Sequence, residues 1–291
     1  MSPRRTVLGL TLGDPAGIGP EIIQQALASP DLPEAIELRV IGSAPPETRP
    51  GHPTRATATA ALAALDESVT LLRTGAIDGV VTGPVSKRAL HDAGFPFPGQ
   101  SEFFAERFGV KDWTMILTGG GLTVALATVH IPISGVADRL TATGILRAGR
   151  HLHALQTRRL RRPVRLAVAG LNPHAGEGGL FGTEEAGILQ PAIEALDAFA
   201  PGSFSGPHPP DTVFLRALRG EFDGVVCMYH DQGLIPLKLI GFDSGVNITA
   251  GLPVVRTSPD HGTAFDIAGR GAASPSSLLA AIRVAAELAA A

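Results

Sequence analysis

Short apolar runs, each broken by a polar, turn-forming stretch, recur along the chain. Leu122 to Val129, Val164 to Ala169 and Gly224 to Met228 are rich in Val, Leu and Ala, the pattern of strands buried on both faces of a parallel sheet. Val7 to Leu12 and Gly79 to Val81 read the same way. Between them lie helical patterns. Pro20 and Glu21 open one helix in first-turn positions. An Ala-rich stretch from Thr57 to Arg73 predicts a second, entered through a Pro-rich connector from Ala44 to Pro53. Thr183-Glu184-Glu185 starts a third, with Ile188, Leu189, Ala192, Ile193, Leu196 and Phe199 at helical spacing for packing. The loop after Thr82-Gly83-Pro84 is expected to continue through Ser86 and Lys87, and Ser277 to Ala291 reads as a surface helix.

Alternating strands and helices predict an α/β protein. With 291 residues, 44% hydrophobic, 18% charged and a net charge of -3, the chain can bury a large core, expected as two lobes around a cleft. The segments near both ends are alike in style, so the lobes are expected to be discontinuous and their boundaries weakly marked. One cysteine, Cys227, sits inside a strand-like run, which excludes an internal disulfide and fits core packing in a reducing compartment. Residues from Met1 to Leu12 imitate a signal peptide until Gly13-Asp14-Pro15 interrupts them, and no stretch is long and apolar enough to span a bilayer. The expected location is cytoplasmic. Arg158, Arg159, Arg161, Arg162 and Arg165 form the one basic run, without interleaved aromatics, and the acidic balance argues against nucleic acid as a partner.

A histidine stands where each of three apolar runs breaks into a polar, turn-forming stretch: His130, His174 and His230. Singly, each reads as a half-buried imidazole bonded to nearby backbone; together they form a candidate site for a divalent ion with positions left for substrate. Their spacing matches no zinc finger, so only folding would assemble them. Asp231 and Glu177 either orient these imidazoles or cap turns, the turn role being the expected one. The turn Gly13 to Gly19 lacks the Walker lysine and the G-x-G-x-x-G spacing, so it reads as a tight turn, with anion binding at the next helix start as the alternative. Lys238, Asn247 and Arg256 are either solvated or donors to a phosphate or carboxylate.

Several longer motifs resemble the 4-hydroxythreonine-4-phosphate dehydrogenase (PdxA) family over nearly the full chain. They are Gly13 to Pro20, Thr82 to Pro84, Ser101 to Phe104, Leu171 to Glu177, Tyr229 to Gly233 and Gly245 to Thr249, in family order. His261 to Ala264 and Asp266 to Gly269 are similar to the adenosine-side loop of isocitrate and isopropylmalate dehydrogenases. The resemblance implies a two-lobed α/β/α fold of that type with a cleft between lobes, forming a single catalytic unit over residues 1–291. It implies NAD- or NADP-dependent oxidation of 4-phosphohydroxy-L-threonine to 2-amino-3-oxo-4-phosphobutanoate. Decarboxylation then yields 3-amino-2-oxopropyl phosphate for pyridoxal 5'-phosphate biosynthesis. A metal, zinc by preference with Mg or Co as alternatives, would be held by His130, His174 and His230. Substrate contacts map to Gln100, Ser101, Lys238, Asn247 and Arg256, cofactor contacts to His261, Gly262, Thr263 and Ala264, and the family site is shared across a homodimer. The metal would acidify the substrate hydroxyl as hydride leaves for nicotinamide; Lys238, Asp231 or a bound water would take the proton, and no catalytic base is assigned.

Two departures bear on substrate. Gln100-Ser101 stands where the family usually has His-Thr, replacing a titratable ring by a neutral amide, and the region from about 42 to 57 is abbreviated. Alternatives are therefore a relative acting on D-threonate or D-erythronate 4-phosphate or on a cis-dihydrodiol, a metal-dependent lyase or hydrolase without nicotinamide, and a non-catalytic small-molecule binder.

Overall fold

The structure is a computed structural model that describes residues 5–33 and 35–290. Residues 1–4 of the signal-like start and residue 291 of the predicted tail helix lie outside the described residues. The elements in the first part of the chain are β1 (Thr6–Thr11), α1 (Gly19–Leu27), β2 (Ile36–Ile41), α2 (Arg55–Arg73), β3 (Gly79–Thr82), α3 (Lys87–Asp92) and α4 (Gln100–Arg107). Then come β4 (Thr114–Gly119), β5 (Leu122–Leu126), α5 (Val136–Arg139), α6 (Ala142–Leu160), β6 (Leu166–Ala169), α7 (Gln190–Phe199), β7 (Phe204–His208), α8 (Val213–Leu218), β8 (Gly224–Cys227) and α9 (His230–Gly241). The chain ends with β9 (Val246–Ala250), β10 (Val255–Pro259) and α10 (Ser276–Ala290). This is the α/β alternation that the periodicity predicts. The chain divides into two compact units, each discontinuous in sequence.

Unit 1 comprises Met1–Lys111, Asp243–Ile248 and Leu252–Ala291. Its strands run β2-β1-β3-β10-β9, parallel except for β9 against β10. β1, the signal-like apolar run, is an inner strand whose Leu8 and Leu10 are fully buried. Helix α2 starts where Thr54 and Thr57 exchange capping hydrogen bonds. Two expectations are corrected. Lys87 is the first residue of a short helix, because the Ser86 side chain accepts from the Ala89 N–H and caps it. The tail is not a surface helix: Leu278, Ala281, Ile282 and Ala285 in α10 are buried, and the helix packs on β10 and β3. Its small alanines permit close approach to the strands, leaving Arg283 and Glu287 on an exposed strip.

Unit 2 comprises Asp112–Phe242 and Thr249–Gly251. Its strands run β4-β5-β8-β6-β7. β4 and β5 form an antiparallel hairpin turning at Gly120-Gly121, both at positive φ, while β8 is parallel to β5 and β6, and β6 to β7. Leu117, Val124, Val225 and Leu237 share a core with the buried Cys227, whose thiol is pushed up in pKa by burial. The helix predicted from Thr183 begins instead with a π-helical turn, Glu185–Leu189, before α7. Leu189, Ala192, Ile193 and Leu196 are buried at helical spacing, whereas Phe199, the last residue of α7, is 45% exposed beneath Arg150.

Candidate active site

In unit 2 the parallel strands β5, β8 and β6 are neighbours, so their carboxyl ends lie along one sheet edge. His130, His230 and His174 each follow one of these ends. Side chains tie the ends together. Thr128 Oγ1 donates to the Met228 carbonyl at 2.7 Å. Gln232, buried in the first turn of α9, accepts from Met228 N at 2.6 Å and donates through Nε2 to the Gly170 carbonyl at 2.7 Å. The rings of His130 and His230 stand 5.8 Å apart, centroid to centroid, beside a cavity of about 140 Å³ lined also by Thr128, Tyr229 and Asp231.

Asp231, expected to cap a turn, instead holds its Oδ1 2.7 Å from His230 Nδ1. A hydrogen on Nδ1 then leaves the Nε2 lone pair for a metal, the usual carboxylate-histidine arrangement. Lys238 lies two helical turns along α9 on the same face: His230, Leu234 and Lys238 line one shallow groove. His174 is held differently. From His174 to Gly178 five successive residues have positive φ, and His174, Ala175 and Glu177 are not glycine. Each such L-residue costs roughly 1–2 kcal/mol in the left-handed region, which fixed contacts must offset. Among the described residues, no group of three or more His, Cys, Asp or Glu side chains is placed to hold a metal ion. Two facing imidazoles, one with its Nδ1 engaged, fit part of a divalent ion's shell; His174 shares their sheet edge without completing a three-donor set.

In unit 1 the focus is Arg256 on β10, 3% exposed. Its Nη2 donates to Thr82 Oγ1 at 2.6 Å and Gln100 Oε1 at 3.2 Å, its Nη1 to Ser101 Oγ at 3.4 Å, and the guanidinium lies 5.9 Å from the Phe104 ring centre. Gln100 Nε2 donates to the Gly83 carbonyl at 3.1 Å. Burial pushes the Arg256 pKa down to about 10, so it stays cationic at neutral pH. Three predicted substrate residues, Gln100, Ser101 and Arg256, are therefore brought together. Asn247 sits opposite Ser258 in the β9-β10 ladder, which puts its side chain on the sheet face shared by Ser258 and Arg256; its Oδ1 is buried without a hydrogen-bond partner.

β1, β3 and β10 are parallel, so the turn Gly13–Gly19, the Thr82–Pro84 segment and the loop His261–Ala264 leave one edge of the unit 1 sheet. The Thr263 carbonyl accepts from Ile18 N at 3.0 Å, and a Cβ on Gly17 would come within 2.9 Å of it, so only glycine admits that approach. Amides 14, 16, 17 and 18 all donate to protein acceptors. The glycine turn therefore seats the 261–264 loop, and these amides are not left for an anion. The abbreviated connector packs there too, Gly51 N donating to the Ala16 carbonyl at 2.8 Å. His261 Nδ1 lies 3.1 Å from the Gly262 carbonyl while its Nε2 is buried without a partner, an orphaned polar atom that a ligand in this loop would satisfy.

Sequence reasoning passed over Thr128, Gln232, Glu185 and Phe104 as functional positions. Gln232 stands two residues after His230, and that adjacency was the available signal; for the others the partner lies far away in the chain.

A family model described as "Pyridoxal phosphate biosynthetic protein PdxA" matches residues 19–285. A 4-hydroxythreonine-4-phosphate dehydrogenase from Desulfosudis oleivorans is 44% identical over 333 aligned positions, covering 100% of this chain and 98% of its own. The alignment is longer than the chain, so that relative carries insertions absent here. The crystal structure of the like-named enzyme from Klebsiella pneumoniae superimposes with TM-score 0.82 at 38% identity, covering 98% and 99% of the two chains. That of a terephthalate 1,2-cis-dihydrodiol dehydrogenase from Burkholderia xenovorans gives 0.69 at 32%, covering 97% and 98%. Isocitrate dehydrogenase from Methylococcus capsulatus, at 17% identity, TM-score 0.56 and coverage of 94% and 83%, shares the fold alone, as the adenosine-loop similarity predicts.

Proposed function

Because the chain belongs to the PdxA family of pyridoxal phosphate biosynthetic proteins, we propose that it oxidises 4-phosphohydroxy-L-threonine with NAD or NADP and a divalent ion, zinc by preference. The product, 2-amino-3-oxo-4-phosphobutanoate, then decarboxylates to 3-amino-2-oxopropyl phosphate. The observation that carries the reading is the facing pair His130 and His230, with Asp231 fixing the tautomer of one. When bound, the ion supplies Lewis acidity at the substrate hydroxyl and the nicotinamide supplies a hydride acceptor.

This chain's residues do the rest. Asp231 keeps the hydrogen on His230 Nδ1, and His174 is the third donor. Arg256, spread over Thr82, Gln100 and Ser101, binds an anionic group of the substrate, and Asn247 offers its unpartnered Oδ1 on the same face. Lys238, along the α9 groove from His230, offsets further charge; proton removal falls to Lys238, Asp231 or water. His261 to Ala264 hold the nucleotide, His261 through its free Nε2. The working form is a homodimer sharing sites, supported by the lack of a three-donor set among the described residues and by Ile235, Leu239 and Phe242, which are 68%, 84% and 67% exposed in and just after α9. A cytoplasmic location goes with the single buried cysteine and with the lack, among the described residues, of any helix long and apolar enough to cross a membrane.

One observation favours a second substrate class. Gln100, bonded to Gly83 and Arg256, is a neutral amide that does not titrate and so cannot exchange a proton as an imidazole would, and a relative named for a cis-dihydrodiol is 32% identical. The test is a panel of amino and non-amino four-carbon phosphates and a cis-dihydrodiol, with NAD and with NADP, on metal-stripped and zinc-restored protein. Metal-dependent formation of reduced nicotinamide with the threonine phosphate is expected; no absorbance change across the panel refutes dehydrogenase function.

A further inference from the structure

His174 sits in backbone that its own residues do not favour, so something else must hold it there. The left-handed stretch from His174 to Gly178 follows Leu171 and Asn172, and one buried carboxylate engages both. Glu185 Oε1 accepts from the backbone N–H of Leu171 at 2.9 Å and of Asn172 at 2.7 Å. Its Oε2 accepts from Asn172 Nδ2 at 2.9 Å, and the other hydrogen on that nitrogen goes to Glu184 Oε2, also at 2.9 Å. A Cβ on Gly176 would fall 2.9 Å from Glu185 Oε2, so the carboxylate lies against the middle of the turn. Upstream, Gln232 holds the Gly170 carbonyl. Glu185 itself opens the π-helical turn, an irregularity that redirects a side chain relative to a regular helix.

We propose that Glu185 is a positioning residue: it fixes the left-handed turn and so aims His174 as a metal donor. The proposal rests on the reading of His174 as a ligand given above. Its chemistry is specific to a carboxylate. Both oxygens are acceptors and all three groups they meet are donors. In Glu185→Gln one oxygen still serves the two backbone amides, but the new amide nitrogen faces Asn172 Nδ2, donor to donor. In Glu185→Asp the acceptors are kept on a shorter arm. Neither change touches His130 or His230.

The probe is cobalt(II) titrated into metal-free protein, read by its visible absorption, with amide hydrogen exchange at Leu171 and Asn172 as a second readout. For Glu185→Gln we expect cobalt affinity to fall about tenfold to hundredfold with an altered spectrum, as for other groups that orient metal ligands. Exchange at the two amides should quicken, and kcat should fall more than KM for the nucleotide. Glu185→Asp should recover part of the affinity and stands in if the amide variant misfolds. His174→Ala should lose affinity comparably, and joining it to Glu185→Gln should add little. Cobalt binding and amide protection unchanged from wild type in Glu185→Gln would overturn the proposal. Quickened exchange with unchanged affinity in both Glu185→Gln and His174→Ala would overturn instead the reading of His174 as a ligand, and with it the metal half of the proposal.

Discussion

Gln232→Leu probes how the strand ends are locked. The amide is buried, and both its oxygen and its nitrogen hold main-chain groups: Met228 N at 2.6 Å and the Gly170 carbonyl at 2.7 Å. Leucine has nearly the same volume, so little cavity arises, but two buried polar groups lose their partners. Each costs about 1–3 kcal/mol, or roughly 2–6 kcal/mol together. Relief from burying an amide offsets about a fifth to a third of that, so the expected loss is about 1–5 kcal/mol. Urea denaturation measures it, and amide exchange at Met228 localises it to the end of β8. Gln232→Glu adds a sign test. As a carboxylate it faces the Gly170 oxygen and repels it; as a carboxylic acid it donates to that oxygen. Its deficit against wild type, compared at the same pH, should therefore shrink on acidification. A Gln232→Leu variant within about 0.5 kcal/mol of wild type, with Met228 protected as before, would refute the reasoning.

Acid should destabilise the fold before its carboxylates titrate. Burial lowers the pKa of His208, helped by Arg216, and of His151, where Arg147 and Arg150 add to burial and Asp112 opposes it. The folded chain thus binds fewer protons than the unfolded one between those depressed values and the ordinary 6.5. Stability should be full above that range and fall as pH drops through it. Urea midpoints should decline from about pH 7.5 to about pH 5.5, with a flatter profile for His208→Gln; a flat wild-type profile would contradict this. Arg256→Lys replaces a guanidinium that reaches Thr82, Gln100 and Ser101 by a single amine. Steady-state kinetics should show kcat/KM reduced about tenfold to hundredfold, mainly through KM for the phosphorylated substrate, and an unchanged KM would remove Arg256 from anion binding.

The strands were readable because a buried parallel strand must be apolar at nearly every position, and few other elements need five such residues in a row. For the same reason the histidines were readable: a polar residue that ends such a run sits at a strand end. The tail reads as a surface helix because Ala281, Ala285 and Ala286 look neutral in sequence, whereas in the fold their small size lets α10 lie against the strands. Sequence favours a turn role for Asp231, since nothing local distinguishes a carboxylate that caps from one that holds an imidazole 2.7 Å away. In sequence Glu185 reads only as part of a helix start and Gln232 only as part of the Tyr229–Gly233 motif. Their partners, Leu171, Asn172 and Gly170, lie in another strand's exit loop, and hydrogen bonds at such separations leave no periodic trace.

The α/β class, the polar exits from the apolar strands and, through several motifs in order, the family are all legible along the chain, because burial and backbone chemistry act residue by residue. Which of those exits face one another emerges only on folding. Folding pairs His130 with His230, keeps His174 on the same edge in a left-handed turn and gathers Gln100 and Ser101 around Arg256. Proximity of this kind depends on strand order and on where a few buried polar groups find partners, and neither is written in any one segment of the chain.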